Sequence, residues 1–401
     1  MKLSRKWLFL LLVIFLIVFI SGNQLAAFYI DLLWFTQYGF VAVLWTILGT
    51  QVGLAAATAA LFFLVTYSAL KFAYIKTAHL PVVLSEAVRR DVPFLQVMAD
   101  HLKPLVLFIP LAMGIMTGLA MAQQWDVVLK YLYQSPFGQS DPIFGMDYSF
   151  YLFTLPFLGL VKSLLWQMLV LVTLGVALIH FFKQYITLTA HGIVTYPEAR
   201  RAFSWLSLFA FLLLGFNFYL QRYGLLVDGR SSVVTGIGFA DAWGRLPALN
   251  VLTVLSLGGA IISFLNQSRP NMKPIIFSAL TLGAVFLAGN GYAALLKKFI
   301  VDPNELIKET PFIEHTIAGT KLGYGLDKVE ENTLTGGASL TTKNIQENRV
   351  TLDNIRLWDQ GPLLETLGQI QEIRTYYQFQ SVDNDRYTIN GHYQQTLLSP
   401  R

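Results

Sequence analysis

The stretch IIFSALTLGAVFLAGNGYAALL (residues 275–296), followed at once by KKFIVDPNELIKE (residues 297–309), decides how this chain is read. The first string carries no charge and is long enough, at 1.5 Å per residue, to cross the roughly 30 Å hydrocarbon core of a bilayer. The second mixes charge with turn chemistry and opens a region that stays polar to Arg401. Towards the N-terminus lie six more apolar stretches of membrane length, at about 7–28, 41–67, 104–122, 164–182, 203–220 and 246–265. The expected fold is an α-helical polytopic membrane protein: seven transmembrane helices over 1–299, then a small α+β extracytoplasmic region over 300–401. That C-terminal region reads as the start of a larger, truncated domain.

Composition and charge agree with this partition. The chain is 54% hydrophobic and only 13% charged, against about 25% charged in an ordinary soluble domain. Its pI near 9.1 invites a nucleic-acid reading. The charge, however, is distributed unevenly. Residues 1–299 hold 20 Lys and Arg against 10 Asp and Glu, and residues 300–401 hold 9 against 14. Positive charge crowded into short loops is the mark of membrane insertion bias, not of a phosphate-tracking surface. No nucleic-acid partner is expected; the lipid bilayer is.

With the N-terminus inside, cytoplasmic loops collect thirteen Lys and Arg, among them Lys71, Lys76, Lys183, Arg200 and Arg201, against five outside. The positive-inside rule then places the C-terminal region outside the cell membrane. Lys297 and Lys298, just beyond the seventh span, count against this orientation. Lys2, Arg5 and Lys6 before an apolar run also resemble a signal peptide. An uncleaved anchor is preferred, because Ser21-Gly22-Asn23-Gln24 lacks a small-x-small cleavage site and apolar character resumes at Leu25. The absence of cysteine excludes disulfides, thiolate metal sites and cysteine nucleophiles.

Gly49-x-x-x-Gly53, with Ala56 and Ala60 on nearly the same face, and Gly114-x-x-x-Gly118 are small-residue faces that let helix backbones approach. Packing within the chain is the expected use; a homo-oligomer through these faces stays open. The expected spans carry no ionisable residue in their central turns. Gln51, Asn217, Asn250 and Asn290 are the polar exceptions, read first as interhelical hydrogen-bonders and second as a neutral-solute site.

Residues 125–162 combine aromatics with turn residues, and an interfacial segment on the outer leaflet with Lys162 snorkelling outward is expected. A re-entrant element lining a pore is the alternative. Within it, Asp141-Pro-Ile-Phe-Gly-Met-Asp147-Tyr-Ser-Phe-Tyr151-Leu-Phe-Thr-Leu-Pro-Phe157 closely resembles a signature of UPF0182, a family of uncharacterised bacterial membrane proteins. Similar strings lie at residues 31–35, 311–317, 354–359, 369–379 and 382–387, so the resemblance spans the chain. It implies a multi-pass plasma-membrane protein of unassigned activity, with seven N-terminal spans and a large extracytoplasmic part. Family members look longer, so this chain reads as the N-terminal part of one.

In the C-terminal region, residues 322–349 read as a mobile connection rich in Gly, Thr and Asn. Leu363, Leu367, Ile370, Ile373 and Tyr377 have helical spacing. Tyr387-Thr-Ile389, Asn390-Gly391 and His392-Tyr393 predict a hairpin with an open edge. Asp383-Asn384-Asp385 has divalent-metal spacing but lacks the Gly and Glu of a calcium loop, so a solvated turn is preferred. His315 lacks a second histidine at ligand spacing. No residue is therefore assigned as catalytic, cofactor-binding or metal-ligating, and no cofactor is expected. A non-catalytic anchor presenting an extracytoplasmic module to an envelope protein or polymer leads. A small-solute transporter or channel component is second, and a membrane enzyme on lipid-linked or envelope substrates third.

Overall fold

The computed structural model describes residues 22, 25–77, 93–189, 192–227, 235–268, 270–333, 336, 339–371 and 376–400. Most of the expected first span lies outside them; residues 25–37 are helical. The chain divides into two compact units, one ending at Leu326 and one from Asp327 to Arg401.

The first unit is built from helices α1 (Val41–Lys76), α2 (Pro93–Asp100), α3 (Leu102–Ala122), α4 (Trp125–Leu132), α5 (Leu155–Phe182), α6 (Pro197–Gly224), α7 (Leu246–Leu265), α8 (Met272–Leu296) and α9 (Glu305–Gly323). Among the described residues, six continuous helical stretches are long and apolar enough to cross a membrane: Val41–Lys76, Leu102–Ala122, Phe150–Phe182, Pro197–Gly224, Asp241–Leu265 and Met272–Gly323. Several hydroxyls inside them fold back on their own helix. Thr66 donates to the Phe62 carbonyl at 2.6 Å and Ser256 to that of Leu252 at 2.7 Å. Such bonds remove the cost of an unpaired hydroxyl in an apolar setting.

Two large clusters and a smaller one of Phe62, Leu164 and Met168 make the core among the described residues. Leu70, Val106, Val176, Ile179 and Phe182 join α1, α3 and α5. Phe211, Phe218, Leu249, Leu252 and Leu282 join α6, α7 and α8. Glycine sets the closest approach. A Cβ on Gly118 would stand 2.5 Å from the Ala55 carbonyl oxygen, and one on Gly114 3.0 Å from that of Ala59. The α3 glycine face therefore packs on α1 within the chain. Its partners are Ala55 and Ala59, not the Gly49–Gly53–Ala56–Ala60 face, where a Cβ on either glycine would meet no described residue within 4 Å.

The structure corrects the sequence reading at two helix ends. Residues 150–162 are helical and continuous with the expected fourth span. A π-helical turn, Phe150–Thr154, runs straight into α5, helped by Pro156 in the first turn. Likewise, the polarity change at residue 299 is no structural break. A π turn (Lys297–Val301) and a 3-10 turn (Asp302–Asn304) carry α8 into α9, and Phe312 of α9 packs on the second core cluster. A further hairpin, β1 (Ile186–Thr189) with β2 (Gly192–Thr195), sits between α5 and α6 and was not foreseen.

Among its described residues the second unit holds three short helices, α10 (Thr342–Glu347), α11 (Arg349–Asp353) and α12 (Gln360–Gln371), and a two-stranded sheet, β3 (Asp383–Ile389) with β4 (His392–Leu398). The expected mobile connection thus contains α10, opened by a capping box between Thr341 and Asn344. The hairpin turn has positive φ at Asn390 (52°) and Gly391 (80°), as a type I′ turn requires. Its ladder runs back to Asp383 opposite Leu398, so Asp383-Asn384-Asp385 is strand, not turn. The side chain of Asn354 bonds the β4 backbone at Tyr393 and Gln395, covering part of the open edge.

Candidate functional site at the signature loop

Between α4 and the π turn at Phe150, the chain closes a compact loop around two carboxylates. Asp141 is 4% exposed. One of its oxygens accepts the amides of Ile143 (2.8 Å) and Phe144 (2.6 Å); the other accepts the Met146 amide (2.8 Å) and the Tyr151 hydroxyl (2.8 Å). Pro142 presets the turn, and Gly145 supplies a φ of 67°. The Asp141 amide donates to the Met146 carbonyl at 2.9 Å, closing the ring. Asp147 accepts from the amides of Phe137 (3.1 Å), Gly138 (2.9 Å) and Ser149 (2.8 Å). The hydroxyl and amide of Ser149, with the Phe137 amide, hold its carboxyl down to about 2. Every aspartate in the signature is spent on the loop's own backbone.

The loop rests on the C-terminal end of α6. The rings of Phe144 and Phe150 lie 4.9 and 5.0 Å from that of Tyr223. The Arg222 guanidinium sits over Tyr219 (4.9 Å), Tyr223 (5.5 Å) and Phe144 (5.7 Å), a cation held by ring faces. Lower on the same helix Asn217 accepts from the Lys162 ammonium at 3.0 Å. Lys162 therefore points into the helix pair rather than outward, because an apolar interior gives an unpaired ammonium no solvent.

Two further π turns frame this end. Asp241–Arg245 opens α7, and Lys297–Val301 extends α8. Gly244 lets the α7 turn close on α8, where a Cβ would stand 2.9 Å from Ala293. Glu309 of α9 is 5% exposed and accepts the Phe239 amide, at 3.1 and 3.2 Å to its two oxygens. It caps the helical run that starts at residue 239 from another element, with negative charge at the positive end of the helix. Gly238 makes room: a Cβ there would meet Glu309 Oε2 at 3.0 Å.

Beside Tyr223 a cavity of about 220 Å³ opens between α6, α7 and α8. Leu249, Leu252 and Phe286 give it apolar walls, and Gln221, Arg245 and Asn290 give it polar ones. Arg245 is bound to Asp241 at 2.5 Å, while its Nε is buried without a hydrogen-bond partner. Asn290 donates to the Phe286 carbonyl at 2.9 Å.

Of the residues singled out in the sequence, the structure thus brings Asn217 to Lys162 and Asn290 to this cavity. Asn250 is exposed, Gln51 is half-buried, and His315 is exposed on α9. Asp383 accepts from the Ser381 hydroxyl at 2.8 Å and Asp385 from the Arg386 amide at 2.7 Å, both on an exposed strand. Arg222 and Arg245 were read only as loop charges, and Glu309 was missed because its donor at Phe239 lies 70 residues away.

A family model described as "Uncharacterised protein family (UPF0182)" matches residues 8–401. The chain belongs to the UPF0182 family. It is 37% identical to a UPF0182 protein of Geotalea uraniireducens, over 99% of this chain and 44% of the relative. A Geobacter sulfurreducens relative is 35% identical, over 99% of this chain and 45% of its own length. One from Bradyrhizobium diazoefficiens is 35% identical, over 93% and 41%. The UPF0182 chain described here therefore spans less than half the length of these curated relatives. No solved structure matches it.

Proposed function

We propose that this UPF0182 chain is a multi-pass plasma-membrane protein, N-terminus cytoplasmic, that acts as a non-catalytic anchor presenting a platform on its outer face. Exposed apolar residues on α8, such as Phe277 (72%), Leu280 (67%) and Leu287 (71%), support lipid contact. The observation that carries the anchor reading is Asp141. A catalytic carboxylate must keep an oxygen for substrate, whereas both oxygens of Asp141 are taken by two donors each. The rigid loop beside it offers exposed Tyr133 (80%) and Phe137 (53%), which suit an aromatic anchor for an envelope protein or polymer.

A photo-crosslinking residue placed at Tyr133 or Phe137 in intact cells tests this. The expected result is an adduct with an envelope component that is lost in Asp141→Ala; adducts with lipid alone would overturn it. A reporter fused after Arg401, active only outside the cytoplasm, checks the orientation.

The cavity favours a second reading, a component that binds a small polar solute. There, Asn290→Leu and Arg245→Gln should each change the cell's solute profile; unchanged profiles in both would remove it.

A further inference from the structure

A second and larger space lies away from the signature loop. A groove of about 940 Å³ runs between α1, α5 and α6. Most of its wall is apolar, with Val65, Met168, Val172 and Leu213 among the lining residues. Ala69 and Ala202 line it as well.

The charged lining residues are confined to one end. Lys76 closes α1, and Glu198 and Arg201 open α6. His180, near the end of α5, is buried with its Nδ1 2.8 Å from the Val176 carbonyl oxygen. Arg201 is fixed at this mouth by its Nε, which donates to the Gln267 carbonyl at 3.3 Å. The Lys76 ammonium lies 5.5 Å from the Phe72 ring centre.

Length gives the groove its meaning. At 1.5 Å per residue, Val65 to Lys76 spans about 16 Å and Arg201 to Leu213 about 18 Å. Either is close to half of the roughly 30 Å hydrocarbon core, the depth of one leaflet. The mouth is the end that collects the Lys and Arg of the cytoplasmic loops. Among the described residues it sets two cations against one carboxylate, so it attracts negative charge.

We propose that the groove binds a cytoplasmic-leaflet phospholipid with an anionic headgroup, its acyl chains between α1, α5 and α6 and its head at Lys76 and Arg201. The apolar walls take up the acyl methylenes, and the cations select the head. One basic residue near an anionic lipid surface is worth about fivefold in affinity. The inference rests on the membrane reading above.

The test is native mass spectrometry of the full chain released from nanodiscs of equal phosphatidylglycerol and phosphatidylcholine, after carbonate washing of the source membranes. Retained phosphatidylglycerol should exceed phosphatidylcholine. Lys76→Ser and Arg201→Ser should each lower that preference about fivefold. Glu198→Gln should raise it, and Ala202→Phe, which fills the groove, should lower retention of both lipids. Equal retention of the two lipids, or of neither, by a chain that resists carbonate would overturn the groove proposal alone. A chain freed by carbonate would overturn the membrane reading, and this inference with it.

Discussion

Two aspartate pairs, one in the signature loop and one with metal-like spacing, do opposite things. Asp141 and Asp147 sit in the signature loop, where seven hydrogen bonds from the loop backbone and Tyr151 converge on them. Asp383 and Asp385 sit on an exposed strand, where each accepts from a near neighbour in sequence. The pair with metal-like spacing organises nothing around it, and the pair with irregular spacing organises a whole loop. What separates them is the number of otherwise unpaired donors nearby, which spacing does not reveal.

The largest effect should come from the buried member. Asp141→Ala leaves three amides and the Tyr151 hydroxyl without their acceptor, and should cost about 3 kcal/mol or more in unfolding free energy. Denaturation in detergent followed by tryptophan fluorescence checks this. The glycine faces give the next contrast. Gly118→Ala forces a Cβ against the Ala55 carbonyl and should cost about 1–3 kcal/mol. Gly53→Ala meets no described residue and should stay within about 0.5 kcal/mol. Equal costs in the same melts would break the assignment of the α1–α3 contact.

Acid sharpens the comparison further. The Asp147 carboxyl is held down to about 2 by Ser149 and the Phe137 amide, below the ordinary carboxylate value near 4. Its folded value is depressed, so its contribution is complete above pH 4 and fades as pH falls through about 2. Carboxyl NMR should show Asp147 ionised at pH 3, and a midpoint near 4 would contradict the hydrogen bonds. The smallest effect belongs to the exposed pair. Asp385 is also held low, by the Arg386 amide and the Tyr387 hydroxyl, yet Asp385→Asn should leave the melting midpoint of the chain unchanged.

The same contrast explains what the sequence made legible. Apolar length alone locates the helices, so six of the expected spans coincide with apolar helices; the start of the fourth at Phe150 was hidden. Phe150, Tyr151, Phe153 and Phe157 look like interfacial aromatics, yet their rings pack on neighbours such as Tyr223 and Tyr131. The Asn-Gly turn was readable because its backbone angles need those residues. The extent of the ladder was not, since Asp and Asn are poor strand formers and only pairing with β4 makes them strand. Asp141-Pro142 announced a turn, but the convergence of Tyr151 depends on where α5 begins. Glu309 was unreadable, because its donor at Phe239 lies 70 residues away. Arg245 and Arg222 were counted only as loop charges, although the structure turns them into a cavity wall and a cation over aromatic rings.

The central claim is that Asp141 holds the signature loop together through its backbone. Amide hydrogen exchange at Ile143, Phe144 and Met146 in Asp141→Ala tests it most directly, with α7 amides as an internal standard. Loss of protection at those three amides, with α7 unchanged, is the predicted result. Protection equal to that of the unsubstituted chain would contradict it.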